Sequence, residues 1–352
     1  MLIEAVPNFS AGPGWAVSTE RVLDLSADAD HNRTVVSLAG SVSALVEEVF
    51  AHVAQAVETL DLRTHSGVHP RVGVADVVPF VPLWDASVSD CASLAHAFAE
   101  RIWSELRVPC YLYGAAGRWT LREIRAASPP PPDVGGPAPH PSAGFCCVGA
   151  RDLLVAYNLV LNTGSSQNAR SLAGSLRASS PSGLPGVQAL AFPLASGRQQ
   201  LSLNLLTPAA RPMLVRTEVE RRVAVVDDEI VGLCPALWAT RSQAAAGKVL
   251  EGRLAALAFQ RTVALIPADP IAPRFSARAA ALAGLGVDPD GWLSAAEECA
   301  AAGRLLAHLE VENAEIAEML RCASTRLLEA ALEHGDVRRR FPERVRALHL
   351  DS

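Results

Sequence analysis

Six chemistry-bearing side chains, Asp61, Arg63, His65, His69, Arg71 and Asp76, fall within sixteen residues. Gly67, Pro70 and Gly73 interrupt them, and the apolar run Val77-Val-Pro-Phe80 follows. Imidazole titrates near neutrality, so a histidine held among fixed cations and carboxylates can take up a proton and return it within one cycle. Burying such charges unpaired is expensive, and the crowding therefore implies a site or a tightly paired network. On spacing alone, His69 is either that proton-transfer group or a histidine satisfied by a backbone carbonyl. His65 and His69 have the four-residue spacing of a metal-binding helix. Gly67 and Pro70 oppose a helix there and no glutamate stands between them, so no metal is expected.

The elements that must position these groups can be read from periodicity. Leu2–Phe9, Arg21–Leu25, Arg33–Ala39, Val74–Pro82 and Val108–Tyr113 have the composition of strands. Val42, Leu45, Val46, Val49, Phe50, Val53 and Val57 form one stripe of a helix over Ser41–Leu60, and Ser87–Leu106 reads as a second helix. Residues 153–233 read strand, helix, two strands joined at Gly197, helix, strand, which is the split βαβ order of ferredoxin-like layers. The first half nearly repeats this order but lacks its first helix. Only Ala11–Glu20, with Gly12, Pro13 and Gly14, lies between its first two strands.

A proline-rich stretch, Ser128 to Gly144, joins the halves and reads by composition as a stiff linker. A break near Ile266–Pro273 precedes an alanine-rich tail in which Trp292–Leu332 is helical by pattern. The expected divisions are residues 1–145, 146–265 and a helical tail over 276–352. The fold class is α+β: two ferredoxin-like sub-domains flanking a cleft or tunnel, plus the tail.

The net charge of −6 excludes bulk attraction to nucleic acid, and the Arg338-Arg339-Arg340 patch reads as a solvated terminus. Aromatics at 5% argue against a stacking platform for single strands. No apolar run reaches the ~18–20 residues that span a bilayer, and an acid at Glu4 stands where a secretion signal would be basic. Seven cysteines without a CxxC pair fit reduced, buried thiols in a cytoplasm.

Several motifs follow one another in an order that resembles the glutamate formimidoyltransferases, the folate-dependent enzymes of histidine breakdown. They are Glu4-Ala-Val-Pro7-Asn8-Phe9-Ser10, Asp28-Ala-Asp30-His31-Asn32-Arg33-Thr34, the His69 segment, Val108-Pro-Cys-Tyr111-Leu-Tyr113, Gly136-Pro137…His140-Pro-Ser142-Ala-Gly144, Val155-Ala-Tyr157-Asn158 and Glu229-Ile-Val-Gly232-Leu. The resemblance covers residues 2–265. It implies transfer of a formimidoyl unit between glutamate and N5 of tetrahydrofolate, with His69 as general acid and base; by charge and nearness in sequence, Asp76 or Asp61 is expected to orient its ring. It also implies substrate or folate contacts at Asn8, Asp30, Asn32, Arg33, Arg71, Gly136, Pro137, His140, Ser142, Gly144 and Asn158. Tetrahydrofolate would be a co-substrate, the partners small molecules, and the enzyme a cytoplasmic homodimer. Arg33 and Arg71 are each either carboxylate or pterin partners or structural salt bridges.

Departures from the family pattern leave alternatives open. The family has His-Lys-Gly-Glu-His-Pro-Arg where this chain has Ser66 and Val68, and Asp227-Asp228 replace Gly-Ser. The alternatives are a divergent folate-dependent transferase acting on another amine, and a non-catalytic relative that binds folate or a partner. The tail is too short to carry the cyclodeaminase domain of fused members, and its helix is expected to pack either on the face left by the missing helix or onto a second subunit.

Overall fold

The computed structural model describes residues 1–17, 20–239, 241–309, 313–334 and 336–350. They form two compact units, Met1–Leu153 and Leu154–Ser352.

In the first unit the strands are β1 (Leu2–Ala5), β2 (Asn8–Phe9), β3 (Val22–Asp28), β4 (Arg33–Ser41), β5 (Ala75–Trp84), β6 (Cys110–Gly114) and β7 (Cys146–Ala150). The helices are α1 (Val42–Thr59), α2 (Val88–Leu106) and the short α3 (Leu121–Ile124). β1 and β2 form one lane interrupted around Pro7. The lanes run β3, β4, β1/β2, β5, all antiparallel, which is the split βαβ order. β7 and then β6 extend this sheet in parallel beyond β5. The sequence reading opened the second sub-domain at residue 146, but Cys146–Ala150 is a strand of the first sheet. A five-residue apolar run cannot disclose which sheet recruits it.

One face of this sheet is buried under α1 and α2, through Leu45, Val49 and Val53 of the first and Phe98 and Ile102 of the second. The helix missing after β2 is replaced by the strap Ala11–Val17. Trp15 of the strap stacks 4.7 Å from the Phe9 ring and donates its indole N–H to Thr59. Within the first unit Trp15 and Val17 supply this cover, for which the sequence alone offers the tail as one of two alternatives.

The second unit holds β8 (Val155–Leu161), α4 (Ser166–Leu176), β9 (Val187–Pro193), β10 (Gln199–Leu205), α5 (Pro212–Glu220) and β11 (Val225–Val231). Its antiparallel order β11, β8, β10, β9 is again that of a ferredoxin-like layer. Then come α6 (Ala236–Ala239), α7 (Leu250–Leu265), α8 (Ala272–Ala283), α9 (Pro289–His308) and α10 (Ala314–His334). The expected single helix over 292–332 is thus two helices, and part of their junction, residues 310–312, lies outside the described residues. α10 packs on α9 and α7. In the basic patch Arg340 pairs with Asp290 at 2.6 Å and Arg339 with Asp336 at 3.0 Å.

Candidate active site

On the sheet face opposite α1 and α2, Asn8, Val35 and Val77 are register neighbours across β2, β4 and β5. Arg33, two residues from Val35, shares that face. Between Phe9 and Asn8 the register of β5 passes from Ala75 to Val77, so Asp76 is the extra residue of a bulge. Such a bulge re-aims a side chain that would otherwise alternate into the helix face.

Asp76 is fully buried and accepts three donors: Arg33 Nη1 at 3.0 Å, Arg125 Nη2 at 2.6 Å and the Val72 N–H at 2.8 Å. Burial alone would push its carboxyl up; Arg33, then Arg125 and the Val72 amide, overcome that and hold it below the usual range. Arg33 is oriented further by Asn8, whose Oδ1 accepts from Nε at 3.1 Å and Nη2 at 2.9 Å. The Asn8 amide is itself fixed by donation to the Val6 carbonyl at 2.7 Å. Burial lowers the Arg33 pKa, opposed by Asp76.

The loop Thr64–Arg71 is stitched to the β3–β4 hairpin. Asn32 sits at the left-handed φ of 47° and donates to the Ser66 carbonyl at 2.8 Å. The Val68 N–H reaches the Asp30 carbonyl at 3.2 Å, and His65 Nε2 the Asn32 carbonyl at 2.9 Å. A Cβ at Gly67 would stand 2.3 Å from the His31 carbonyl oxygen, so only glycine permits this approach. Arg71 grips the loop from within, donating to the carbonyls of His69 (2.9 Å) and His31 (3.2 Å) and bonding the His65 ring.

These contacts deliver His69 to a position 3.0 Å from Arg33 Nη1 and 2.7 Å from the Pro70 carbonyl, both measured from Nδ1. A nitrogen lone pair and a carbonyl oxygen do not share 2.7 Å without a proton between them. Nδ1–H therefore donates to Pro70, Arg33 directs its proton to Asp76, and the ring's lone pair lies on Nε2. Burial first, and then the charges of Arg33 and Arg125, push the His69 pKa down to about 3. The ring is neutral at physiological pH, and Nε2 is its one basic atom. Neither aspartate proposed from sequence bonds the ring: Asp61 is paired with Arg63 at 2.6 Å, and Asp76 acts through Arg33. His65 is committed to Asn32 and Arg71, and the Arg71 cation beside it opposes a metal.

Asn8, Asp30, Asn32, Arg33 and Arg71 thus lie in one network with His69. The second half of the proline-rich segment is attached to the same loop. His140 and Gly144 bond each other's backbones, the Phe145 N–H donates to Val72 and the Val74 N–H to Ala143, and the Leu62 N–H reaches Ser142. His140 Nδ1 accepts from the Ala143 amide at 3.1 Å. Gly136 instead lies against Trp103 of α2, and Pro137 is exposed. Asn158 belongs to the second unit, where it donates to Glu229 at 2.8 Å. There Asp228 is compensated by Arg216 at 2.6 Å and accepts the Tyr157 hydroxyl at 2.5 Å, while Asp227 is exposed.

Arg125, absent from the sequence-based site, is part of this one. A reciprocal capping box between Thr120 and Glu123 announces α3 in the sequence, but nothing there announces that the residue after it reaches Asp76.

Residues 2–151 match the formiminotransferase domain, N-terminal subdomain. The chain is 36% identical over 269 residues to the glutamate formimidoyltransferase of Thermoplasma acidophilum, covering 66% of this chain and 88% of that one. It is 34% identical to the glutamate formimidoyltransferase of Streptococcus pyogenes, over 67% of this chain and 89% of that one. It is also 37% identical to the formimidoyltransferase-cyclodeaminase of Gallus gallus, where the match spans 66% of this chain and half of the longer protein.

Proposed function

The chain belongs to the glutamate formimidoyltransferase family, and from that premise we propose that it moves the formimidoyl group of N-formimidoyl-glutamate to N5 of tetrahydrofolate. The observation that carries the chemistry is the His69–Pro70 hydrogen bond, which leaves a neutral imidazole with its lone pair on Nε2. N5 attacks the amidine carbon, and a tetrahedral carbon bearing three nitrogens forms. His69 Nε2 accepts the N5 proton and then delivers it to the glutamate nitrogen as the C–N bond to glutamate breaks. General acid–base catalysis of this kind contributes ~10²–10⁴-fold.

Arg33, Arg71 and Arg125 set a positive potential at this site, against the one carboxylate of Asp76 that Arg33 and Arg125 share. That balance suits an anionic donor and the carboxylates of a folate tail. The Gly136–Gly144 segment is assigned as a wall of the folate pocket; the backbone attachment of its second half, His140–Gly144, to Leu62 and Val72–Val74 beside the His69 loop supports this. Binding of tetrahydrofolate by calorimetry, followed by addition of N-formimidoyl-glutamate, tests the reading. Binding and then 5-formimidoyl-tetrahydrofolate is the expected result; a protein that binds neither compound would refute it.

A second reading, transfer from a different amidine donor, is favoured by Val68, an apolar side chain 42% exposed on the same loop as His69. Among the described residues no helix is long and apolar enough to cross a membrane.

A further inference from the structure

We propose that Arg125 holds a carboxylate of the donor substrate and so sets the preference for an acidic donor. The inference rests on the transfer reaction proposed above, and it separates the three guanidinium groups by how their donors are spent.

Arg33 uses Nε and Nη2 on Asn8 and Nη1 on Asp76, beside His69. Arg71 spends Nε and Nη2 on backbone carbonyls and Nη1 on the His65 ring. Both are framework residues whose forks are occupied by the protein itself. Arg125 differs. Among the described residues the only hydrogen bond of its side chain is Nη2 to Asp76, at 2.6 Å. Its Nε is buried with no hydrogen-bond partner, yet the side chain as a whole is 16% exposed. Nη1, which makes no hydrogen bond among the described residues and is not among the buried atoms, is the donor that a ligand oxygen can reach. Guanidinium offers adjacent N–H groups in a planar fork that matches a carboxylate.

Its support is rigid. Ile124, fully buried, plugs α3 into the apolar cluster of Val77, Tyr111, Tyr113 and Cys147 on the site face of the sheet. The Thr120–Glu123 capping box fixes the start of α3. Asp76 then couples Arg125 to Arg33, and Arg33 touches His69. A carboxylate on Arg125 therefore lies near the reacting histidine and is repelled less by Asp76 than that single charge suggests, because Arg33 shares it.

The test compares wild-type protein with Arg125→Gln and Arg125→Lys on three donors: N-formimidoyl-L-glutamate and its two monoamides. The wild type should favour the diacid over one monoamide by about ten- to hundredfold in kcat/KM, as for a hydrogen-bonded charge. Arg125→Gln should erase that preference, and Arg125→Lys should restore part of it. If Arg125 merely neutralises Asp76, every donor slows by one common factor and the preference survives, which overturns the proposal. Should the wild type turn over none of the three, the reaction assignment fails but the inference is still decided by calorimetry with glutarate. Glutarate binding at least tenfold weaker in Arg125→Gln supports it; equal binding, or none to the wild type, overturns it. Thermal melting checks each variant, and if Arg125→Gln does not fold the comparison is made with Arg125→Lys, which should weaken diacid preference and glutarate binding severalfold.

Discussion

The Nδ1 nitrogen of His69 lies 2.7 Å from the carbonyl oxygen of Pro70, the next residue in the chain. A proline there contributes no N–H to compete and holds φ, so its carbonyl is a fixed acceptor that selects one tautomer. His69→Ala should lower kcat by about 10²–10⁴-fold and leave tetrahydrofolate affinity and the melting temperature near wild type. Turnover assays with calorimetric binding on the same sample check this; unaltered turnover would remove His69 from the mechanism.

The depressed pKa of His69 has a definite sign. Its folded value of about 3 lies below the ordinary 6.5, so between those values the unfolded chain binds the extra proton. The stability supplied by the neutral ring is complete above pH 6.5 and is lost as pH falls toward 3. Catalytically, the acid limb of kcat/KM should fall below pH 6.5. A carboxylate bound beside Arg33 and Arg125 offsets their charge, so the limb of kcat should lie at higher pH than that of kcat/KM. Paired pH profiles measure both, and a kcat limb at or below that of kcat/KM contradicts the electrostatic account.

Asp76→Asn removes the charge that Arg33 and Arg125 share and leaves two guanidinium groups facing each other. Breaking a buried pair in this way costs about 3–5 kcal/mol. Urea unfolding should show that loss, and kcat should fall with it because Arg33 no longer holds its place beside His69. A variant within about 0.5 kcal/mol of wild type, the range of ordinary surface changes, would show that the network is not coupled as described.

Gly67→Ala tests the stitching of the loop. The added methyl would meet the His31 carbonyl at 2.3 Å and Arg71 Nη2 at 2.6 Å, so the loop must shift away from the hairpin. The core is untouched, and activity should fall far more than melting temperature. Activity equal to wild type would mean that this loop's position is not what places His69.

Much of this architecture is legible from residue order. The stripe from Val42 to Val57 locates α1, and alternation locates the strands of both layers, because each signal is local. Asn8, Arg33 and His69 stand in consecutive motifs, but their contacts with one another are seen only in the structure. Arg125 was not legible: it reaches Asp76 across 49 residues, from a four-residue helix with no periodicity to read. Pro70 escaped for another reason, since a backbone carbonyl carries no residue-type signal. The strand Cys146–Ala150 was placed in the wrong half because its partners, β5 and β6, lie far away in sequence. His65 and Arg71, prominent by type, spend their hydrogen bonds on the loop and the hairpin.

Proton transfer by His69 Nε2 between N5 of tetrahydrofolate and the nitrogen of glutamate shows in a single turnover. The most direct measurement is single-turnover formation of 5-formimidoyl-tetrahydrofolate from N-formimidoyl-L-glutamate, by wild-type protein and by His69→Ala at matched, saturating tetrahydrofolate. With that role for His69, the wild type forms one equivalent of product and the variant is slower by about 10²-fold or more, with folate bound equally. Equal rates on the two proteins, or folate bound without product on the wild type, would contradict it.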